Sequence, residues 1–207
     1  MEKFDGNIKK KYRNSFGVGW EKALIPLIGP LRAIQICHKN RIYHRDVKPE
    51  NILYKADRVV LADLGLSSFK GLFGRPTFDG EVHGTLEFIH PIRYNHNISD
   101  NVLKYSDIYS WYLSWFDIAL GSLPLKVRGN PIQPNFYRDG SFLYEVYANT
   151  PEPIRNEIGY LFLNENFAVN LSVKLLIHKI LQIYPSLLEN NLINKCINEI
   201  LSDVRES

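Results

Sequence analysis

The sequence has little of what marks secreted or strongly charged proteins. Its 207 residues include only two cysteines, Cys37 and Cys196, so a disulfide framework is excluded and a reducing compartment is indicated. The formal net charge is +3, which is too small to indicate a nucleic-acid-binding or membrane-surface protein. We therefore expect a cytoplasmic protein, or one of the host cytoplasm if it is an effector, without nucleic-acid or membrane partners.

Long apolar runs are also missing. Residues 1–6 lack the apolar core of a secretory signal. The most apolar stretch, residues 108–120, is interrupted by polar side chains and is shorter than the ~20 residues that span a bilayer. The basic cluster of Lys9, Lys10, Lys11 and Arg13 is interpreted as a solvated face.

Hydrophobic periodicity predicts a mainly α-helical fold with a few short β-strands. Helical spacing of apolar residues runs over residues 20–38, where Gly29-Pro30 should kink or split the helix. Three β-like runs follow at residues 41–43, 52–54 and 59–62, and they are too short for a large sheet. The glycine-rich segment 63–91 shows no sustained period and reads as a long loop.

The second half of the chain is predicted to be a helical bundle. Residues 106–120 are apolar on nearly every side, which is typical of a helix buried in the middle of a domain. Asp107 is expected to cap its N-terminus and Gly121 to end it. Further helices are expected over residues 141–148, 173–184 and 188–201. One more is expected to begin after an N-cap at Thr150.

The stretch that carries chemistry is residues 44–53, which read HRDVKPENIL. Asp46, Lys48 and Asn51 lie close together in a loop between two short strands, and Asp63 follows a third. Phosphoryl transfer needs fixed cations and metal ligands, because its transition state spreads charge over phosphate oxygens. Asn51 and Asp63 offer the oxygen ligands that suit magnesium. Singly, each of these residues would be read as a turn residue.

The segment at 44–51 resembles the HRD-x-K-P-E-N catalytic loop of the eukaryotic-type protein kinases. Residues 63–65, Asp-Leu-Gly, resemble that family's DFG motif, and residues 84–92 are similar to the end of its activation segment. Residues 106–111 look like the start of its central helix. The resemblance covers the C-terminal lobe, and Lys48 favours the Ser/Thr type.

The resemblance implies a protein-kinase-like C-lobe around a central buried helix, acting on a protein substrate with ATP and Mg²⁺. It implies catalytic roles for Asp46 and Lys48, nucleotide binding by Lys48, Asn51, Leu53 and Asp63, and metal binding by Asn51 and Asp63. Thr85 would hydrogen-bond Asp46 and Lys48. The implied domain covers residues 1–207, with a hinge-like start at 1–8, a catalytic loop at 44–51, an activation segment at 63–92 and a helical lobe at 105–204.

The sequence departs from the family in having no room before residue 44 for the small N-terminal lobe, which needs at least ~60 residues. Gly17-Val18-Gly19 and Lys22 are interpreted as linker and helix surface, not as a phosphate-binding loop and lysine. Weak ATP affinity and a separate N-lobe or kinase partner are therefore expected. The alternative is a non-catalytic mimic of a kinase C-lobe that regulates kinases or their substrates.

Two further expectations concern substituted family positions. Ile92 stands where the family has a glutamate and Leu188 where it has that glutamate's arginine partner, so the two side chains are expected to approach each other. Glu81 is hypothesised to supply the negative charge that a phosphothreonine gives to Arg45 in many family members.

Overall fold

The computed structural model describes residues 3–12, 17–69, 83–94, 99–124, 126–127, 130–131, 134–163, 166 and 170–203. The helices in these residues are α1 Ile8–Tyr12, α2 Trp20–Leu24, α3 Ile28–Lys39, α4 Asp100–Leu120, α5 Pro134–Arg138, α6 Ser141–Ala148, α7 Glu152–Glu157, α8 Val173–Ile183 and α9 Asn191–Leu201. The strands are β1 Gly6–Asn7, β2 Ile42–Tyr43, β3 Ile52–Lys55, β4 Arg58–Leu61, β5 Ser68–Phe69, β6 Lys126–Val127 and β7 Asn130–Pro131. This confirms a mainly α-helical fold with short strands.

The strands form three small antiparallel sheets. β3 lies between β1 and β4, and the register pairs Leu53 with Asn7 on one side and with Val60 on the other. β2 pairs with β5, and β6 pairs with β7. The sheet of β1, β3 and β4 thus holds the strand that follows the loop at residues 44–51, whereas β2, which precedes the loop, belongs to the sheet with β5.

The core is built around α4, as its all-round apolar sequence predicts. Nearly all of its residues from Leu103 to Ala119 are buried, including Trp111 and Trp115, whose indole N–H groups donate to the carbonyls of Leu27 and Trp20. Aromatic rings at Tyr112 and Phe162 stack 4.9 Å apart on another side of the helix. Helices α2, α3, α8 and α9 complete the packing. Within the described residues, no helix is long and apolar enough to cross a membrane.

The start of α4 differs from the prediction. The helix begins at Asp100, and its N-cap is Ser99, whose hydroxyl accepts the N–H of Val102. Asp107 therefore lies inside the helix and is only 1 % exposed. Its carboxylate binds a neighbouring loop instead of capping its own helix terminus. Gly121 ends the helix in the left-handed conformation (φ 83°), as expected.

The periodic stretch 20–38 is split into α2 and α3. The break lies at residues 25–27, just ahead of Gly29-Pro30, which occupies the first turn of α3 where a missing N–H costs no helical hydrogen bond. Residues 17–19 are a linker, as interpreted, and Gly19 donates its N–H to the carbonyl of Ala119. This contact closes the C-terminal end of α4.

Two other sequence-based expectations are wrong. Thr150 does not cap the following helix, whose N-cap is Pro151, because its hydroxyl instead donates to the carbonyl of Val146. Leu188 does not enter the core that contains Ile92, since Leu188 is 40 % exposed and the neighbouring Leu187 is the buried residue. Leu187 points inward because Tyr184 leads into a 3₁₀ turn over residues 185–189.

The basic cluster near the N-terminus is only partly a solvated face. Lys10 and Lys11 are exposed, but the ammonium of Lys9 forms an ion pair with Asp117, a buried residue of α4. Residue 13 and the hypothesised Glu81 lie outside the described residues. The helix α1 therefore packs on the core through Ile8 and Tyr12 and pairs with Asp117 through Lys9.

Candidate active site

The loop at residues 44–51 is held from below by the central helix. The carboxylate of Asp107 accepts hydrogen bonds from the backbone N–H groups of His44 at 2.9 Å and Arg45 at 2.8 Å. His38 contacts the same carboxylate through Nε2 at 2.9 Å. Burial alone would raise the pKa of Asp107, but the hydrogen bonds from His38 and the loop hold it below its ordinary value. A buried anion thus fixes the loop backbone, which is left-handed at Arg45 (φ 67°).

Above this support, three side chains converge on the carboxylate of Asp46. Its Oδ1 accepts the N–H of Thr85 at 2.9 Å and the Thr85 hydroxyl at 2.7 Å. Its Oδ2 lies 2.8 Å from Nζ of Lys48 and accepts Nδ2 of Asn51 at 2.9 Å. Burial raises the pKa of Asp46, but the bonds from Lys48, Thr85 and Asn51 outweigh that effect and lower it overall. The carboxylate is therefore ionised at neutral pH.

Lys48 bridges the loop and the segment that follows the undescribed residues 70–82. Its ammonium donates to Oγ1 of Thr85 at 2.6 Å as well as contacting Asp46. This confirms the contacts expected of Thr85. Gly84 makes the approach possible, because a Cβ at its φ of 130° would lie 2.5 Å from the carbonyl oxygen of Arg45.

Asn51 presents one face to Asp46 and leaves the other available. Its amide nitrogen donates to the backbone carbonyl of Asp46 at 2.8 Å and also to the carboxylate of Asp46. Within the described residues, the side-chain carbonyl oxygen of Asn51 accepts no hydrogen bond. The backbone carbonyl of Asn51 accepts the N–H of Ala62 at 2.8 Å. His44 completes the link, because its Nε2 donates to the carbonyl of Ala62 at 3.0 Å.

The hydrogen bonds of Ala62 with the loop place the next residue, Asp63, beside the loop. Asp63 is exposed, has a left-handed backbone (φ 66°) and accepts the N–H of Gly65 through Oδ1 at 3.2 Å. Leu53 lies at the centre of the small sheet and is half-buried, whereas Leu64 is 46 % exposed. In the described residues, no hydrogen bond joins the carboxylate of Asp63 to Lys48 or to Asn51.

Magnesium suits this donor set. The open carbonyl oxygen of Asn51 and the exposed carboxylate of Asp63 are hard oxygen ligands, and Mg²⁺ is usually bound by one or two such groups together with water and substrate phosphates. No cluster of three or more histidines, cysteines or carboxylates that could cage a metal is found where the structure is described. A site completed by nucleotide phosphates is consistent with both observations.

Arg45 connects the loop to the next segment. Its Nε donates to the carbonyl of Leu66 at 2.5 Å, and the hydroxyl of Ser67 donates to the carbonyl of His44 at 3.5 Å.

Cys37 and Cys196 are both free and half-buried, and burial raises the pKa of each thiol. Neither cysteine has the low pKa of a nucleophile.

Sequence reasoning missed the roles of Asp107 and Lys9. Asp107 was interpreted as a helix cap and Lys9 as a solvated residue, yet each binds a partner far away in the chain. The signal in the sequence was that Asp107 and Asp117 are the two charged residues of the mostly apolar stretch 105–120, where a charge needs a partner.

An aspartate held by a lysine, a threonine and an amide, close to oxygen groups that suit Mg²⁺, is the kind of arrangement that phosphoryl transfer requires. A family model described as the protein kinase domain matches residues 21–190. The chain belongs to this family.

Several curated relatives that the chain matches are named serine/threonine-protein kinases. The chain is 36% identical over 124 residues to a probable serine/threonine-protein kinase of Dictyostelium discoideum, covering 56% of the chain and 18% of the relative. It is 34% identical over 110 residues to the human receptor-interacting serine/threonine-protein kinase 3, covering 52% and 19%. It is 29% identical over 172 residues to the serine/threonine-protein kinase PknB of Mycobacterium tuberculosis, covering 73% and 27%. The chain thus matches roughly a fifth to a quarter of these relatives' lengths.

Proposed function

We propose that this chain is the catalytic lobe of a Ser/Thr-type protein kinase that transfers the γ-phosphate of ATP to a protein hydroxyl. The observation that carries the proposal is the convergence of Lys48, Thr85 and Asn51 on the ionised carboxylate of Asp46. An acceptor hydroxyl needs a fixed carboxylate, and the transferred phosphate needs a cation at its side. Both groups are present at hydrogen-bonding distance of each other.

Each residue has one task in this proposal. Asp46 accepts the hydrogen bond of the substrate hydroxyl and so orients its oxygen for attack. Lys48 neutralises charge on the γ-phosphate, and its bond to Thr85 holds the ammonium in place. Asn51 and Asp63 hold magnesium, which when bound offsets the charge of the nucleotide phosphates. Leu53 supports the adenine ring.

The nucleotide needs a second wall, because the described residues supply only the side formed by the loop and the small sheet. We propose that this wall is a kinase N-lobe, contributed by further polypeptide of the same protein or of a partner. Leu64 and Leu66, which flank the Asp63 turn, are 46 % and 39 % exposed and would be covered by it.

The test is transfer of radiolabelled phosphate from ATP to a protein acceptor, by the chain alone and with a candidate N-lobe. We expect transfer only in the completed form and a loss of at least about 100-fold in Asp46→Ala, because general acid–base groups contribute about that much. Asp57→Ala removes an exposed turn carboxylate and is the matched control. Transfer that survives Asp46→Ala would overturn the mechanism.

A separate measurement tests the metal site. Binding of ATP to the completed form is titrated by calorimetry with and without Mg²⁺. Asn51→Leu and Asp63→Asn should each reduce the gain in affinity that Mg²⁺ confers, while binding without Mg²⁺ changes little. If no completing lobe gives either nucleotide binding or transfer, the result favours the alternative, a non-catalytic regulator that binds kinases or their substrates.

A further inference from the structure

Arg93 is buried in the core without a hydrogen-bonding partner. It lies in the 3₁₀ turn Pro91–Tyr94, ahead of α4, and is only 2 % exposed. Its Nε and Nη1 are fully buried, and neither has a hydrogen-bond acceptor in the part of the chain that the structure describes. A guanidinium carries five N–H donors and is charged at neutral pH. This arginine is therefore an unpaired buried cation, which is rare in folded proteins.

Such a cation makes the fold less stable. A charge that moves from water into a protein interior loses its hydration, and without a partner nothing compensates for that loss. Burial accordingly lowers the pKa of Arg93. Attraction to Asp107 acts in the opposite direction but does not outweigh burial, and repulsion from Arg45 acts together with burial. An apolar side chain of similar length would fill the same space at a lower cost, so core stability does not account for the arginine.

The carboxylate that Arg93 interacts with is Asp107, which lies beneath the candidate catalytic loop. Its oxygens are bound by the backbone N–H groups of His44 and Arg45 and by Nε2 of His38. The two loop N–H groups are neutral, so they fill the lone pairs of the carboxylate without balancing its charge. The ionisable side chains that interact electrostatically with Asp107 are Cys37, His38, Tyr43, Arg45 and Arg93.

Two of these side chains are permanent cations, and they differ in what else they bind. The guanidinium of Arg45 donates from Nε to the carbonyl of Leu66, so it already joins the loop to the next segment. Nε of Arg93 makes no such bond within the described residues, and its neighbour Ile92 is apolar. The charge of Arg93 is thus left to act on Asp107 without a hydrogen bond between them.

We propose that Arg93 is a positioning residue for the candidate catalytic loop: its charge balances that of Asp107 and so keeps the carboxylate beneath the two loop N–H groups that it binds. In a protein interior, opposite charges attract across distances at which they make no contact. An unbalanced carboxylate would gain hydration by opening towards water, and the loop bound to it would open as well. The importance of this support for catalysis rests on the proposed function, whereas the support itself does not.

The test is amide hydrogen exchange of the ¹⁵N-labelled chain at pH 6, followed residue by residue by NMR. Arg93→Met replaces the guanidinium with an apolar side chain. We expect protection of the His44 and Arg45 N–H groups to fall about tenfold, the order expected for charges that attract without contact. The free energy of unfolding in urea should stay equal or rise, because an unpaired buried charge is removed. A purely structural arginine would instead give loss of loop protection and loss of global stability together.

Two further variants isolate the charge. Arg93→Lys keeps a positive charge on a different shape and should retain most of the loop protection, and pH 6 is chosen to keep this lysine charged. Arg138→Met removes an exposed arginine of the same neighbourhood, which lies 5.4 Å from the ring centre of Tyr94, and should change neither quantity appreciably. The N–H of Leu113, in the middle of α4, is the reference for global opening.

Kinetics of the completed form separate positioning from nucleotide binding. Because Arg93 acts through Asp107 and the loop, Arg93→Met should lower kcat about tenfold and leave KM for ATP nearly unchanged, and Arg93→Lys should recover most of kcat. Loss of loop protection in Arg93→Met, in a completed form that transfers no phosphate even as the parent, leaves the positioning role standing and removes the catalytic proposal.

Three results would refute the positioning role. The first is unchanged protection of the two loop N–H groups in Arg93→Met. The second is an equal loss of protection at the loop and at Leu113 with a lower free energy of unfolding, or failure of Arg93→Met to fold, because the arginine would then serve the stability of the core. The third is an equal loss in the methionine and lysine variants, which would mean that the shape of Arg93 matters and its charge does not.

Discussion

The backbone nitrogen of Arg45 lies 2.8 Å from Oδ1 of Asp107, a hydrogen bond that joins the candidate catalytic loop to the central helix across 62 residues of sequence. The other carboxylate oxygen receives the N–H of His44. Two neighbouring loop residues are thus held by one buried anion. The position of Asp46, the next residue, depends on this support.

Replacing this anion tests how far the loop depends on it. In Asp107→Asn one carboxylate oxygen becomes an NH₂ group, which cannot accept, so one loop N–H is left buried without a partner. Such a group costs about 1–3 kcal/mol, and we expect the free energy of unfolding in urea to fall by about 2 kcal/mol. Asp57→Asn, at an exposed turn, should have almost no effect. Equal stability of the two variants would show that Asp107 does not hold the loop.

The hydroxyl of Thr85 is expected to matter for rate more than for folding. Thr85→Val keeps the shape but removes the bonds of Oγ1 to Lys48 and Asp46. We expect kcat of the completed form to fall about tenfold, which corresponds to the loss of about one hydrogen bond to a charged group. Thr85→Ser retains the hydroxyl and should retain most of the rate. Similar rates for the valine and serine variants would contradict this role.

His90 should make the stability depend on pH. Burial lowers its pKa to about 4, although the hydrogen bond to the carbonyl of Phe162 acts in the opposite direction. In the unfolded chain a histidine titrates near pH 6.5. As the pH falls from about 6.5 to 4, the unfolded chain gains a proton that the folded chain does not, so His90 costs stability progressively, by about 3 kcal/mol in total. Above pH 6.5 its contribution is constant.

Urea unfolding at several pH values between 7 and 4.5 measures this effect. The informative quantity is the slope of the unfolding free energy against pH, compared between the parent and His90→Gln. The variant should lose a slope of about 1.4 kcal/mol per pH unit, the value for one proton. Two curves with the same slope would mean that His90 does not titrate as its burial between Tyr105 and Tyr109 requires.

Gly17 is expected to tolerate no side chain. Its φ of 79° is left-handed, and a Cβ there would lie 2.2 Å from the carbonyl oxygen of Ala119 at the end of α4. Gly17→Ala should therefore lower the unfolding free energy by at least about 2 kcal/mol. Gly29→Ala is the matched control, because a Cβ at that helical position makes only ordinary contact at 3.6 Å, and it should leave stability unchanged or raise it by up to about 1 kcal/mol. If the two variants unfold alike, the linker does not pack as described.

Much of the fold was predictable because its signals are local. The helical period over residues 20–38, the short strands and the apolar run of α4 depend on neighbours within a few positions, and all appear close to where they were expected. The predicted boundaries were wrong where a polar side chain bound a partner other than the backbone at its own helix terminus. Asp107 and Thr150 both resemble helix caps in sequence, yet their side chains bind His44 and Val146 instead.

By itself, the sequence determined the set of carboxylate, lysine and amide side chains at residues 44–51 and 63, because the motifs place these side chains close together in the chain. Only the tertiary structure decided which cations meet which carboxylates. Lys9 and Asp117 are 108 residues apart, and Arg32 and Asp203 are 171 residues apart. Such pairs form because packing buries a charge that must then find a partner, and the identity of that partner depends on how whole elements pack against one another.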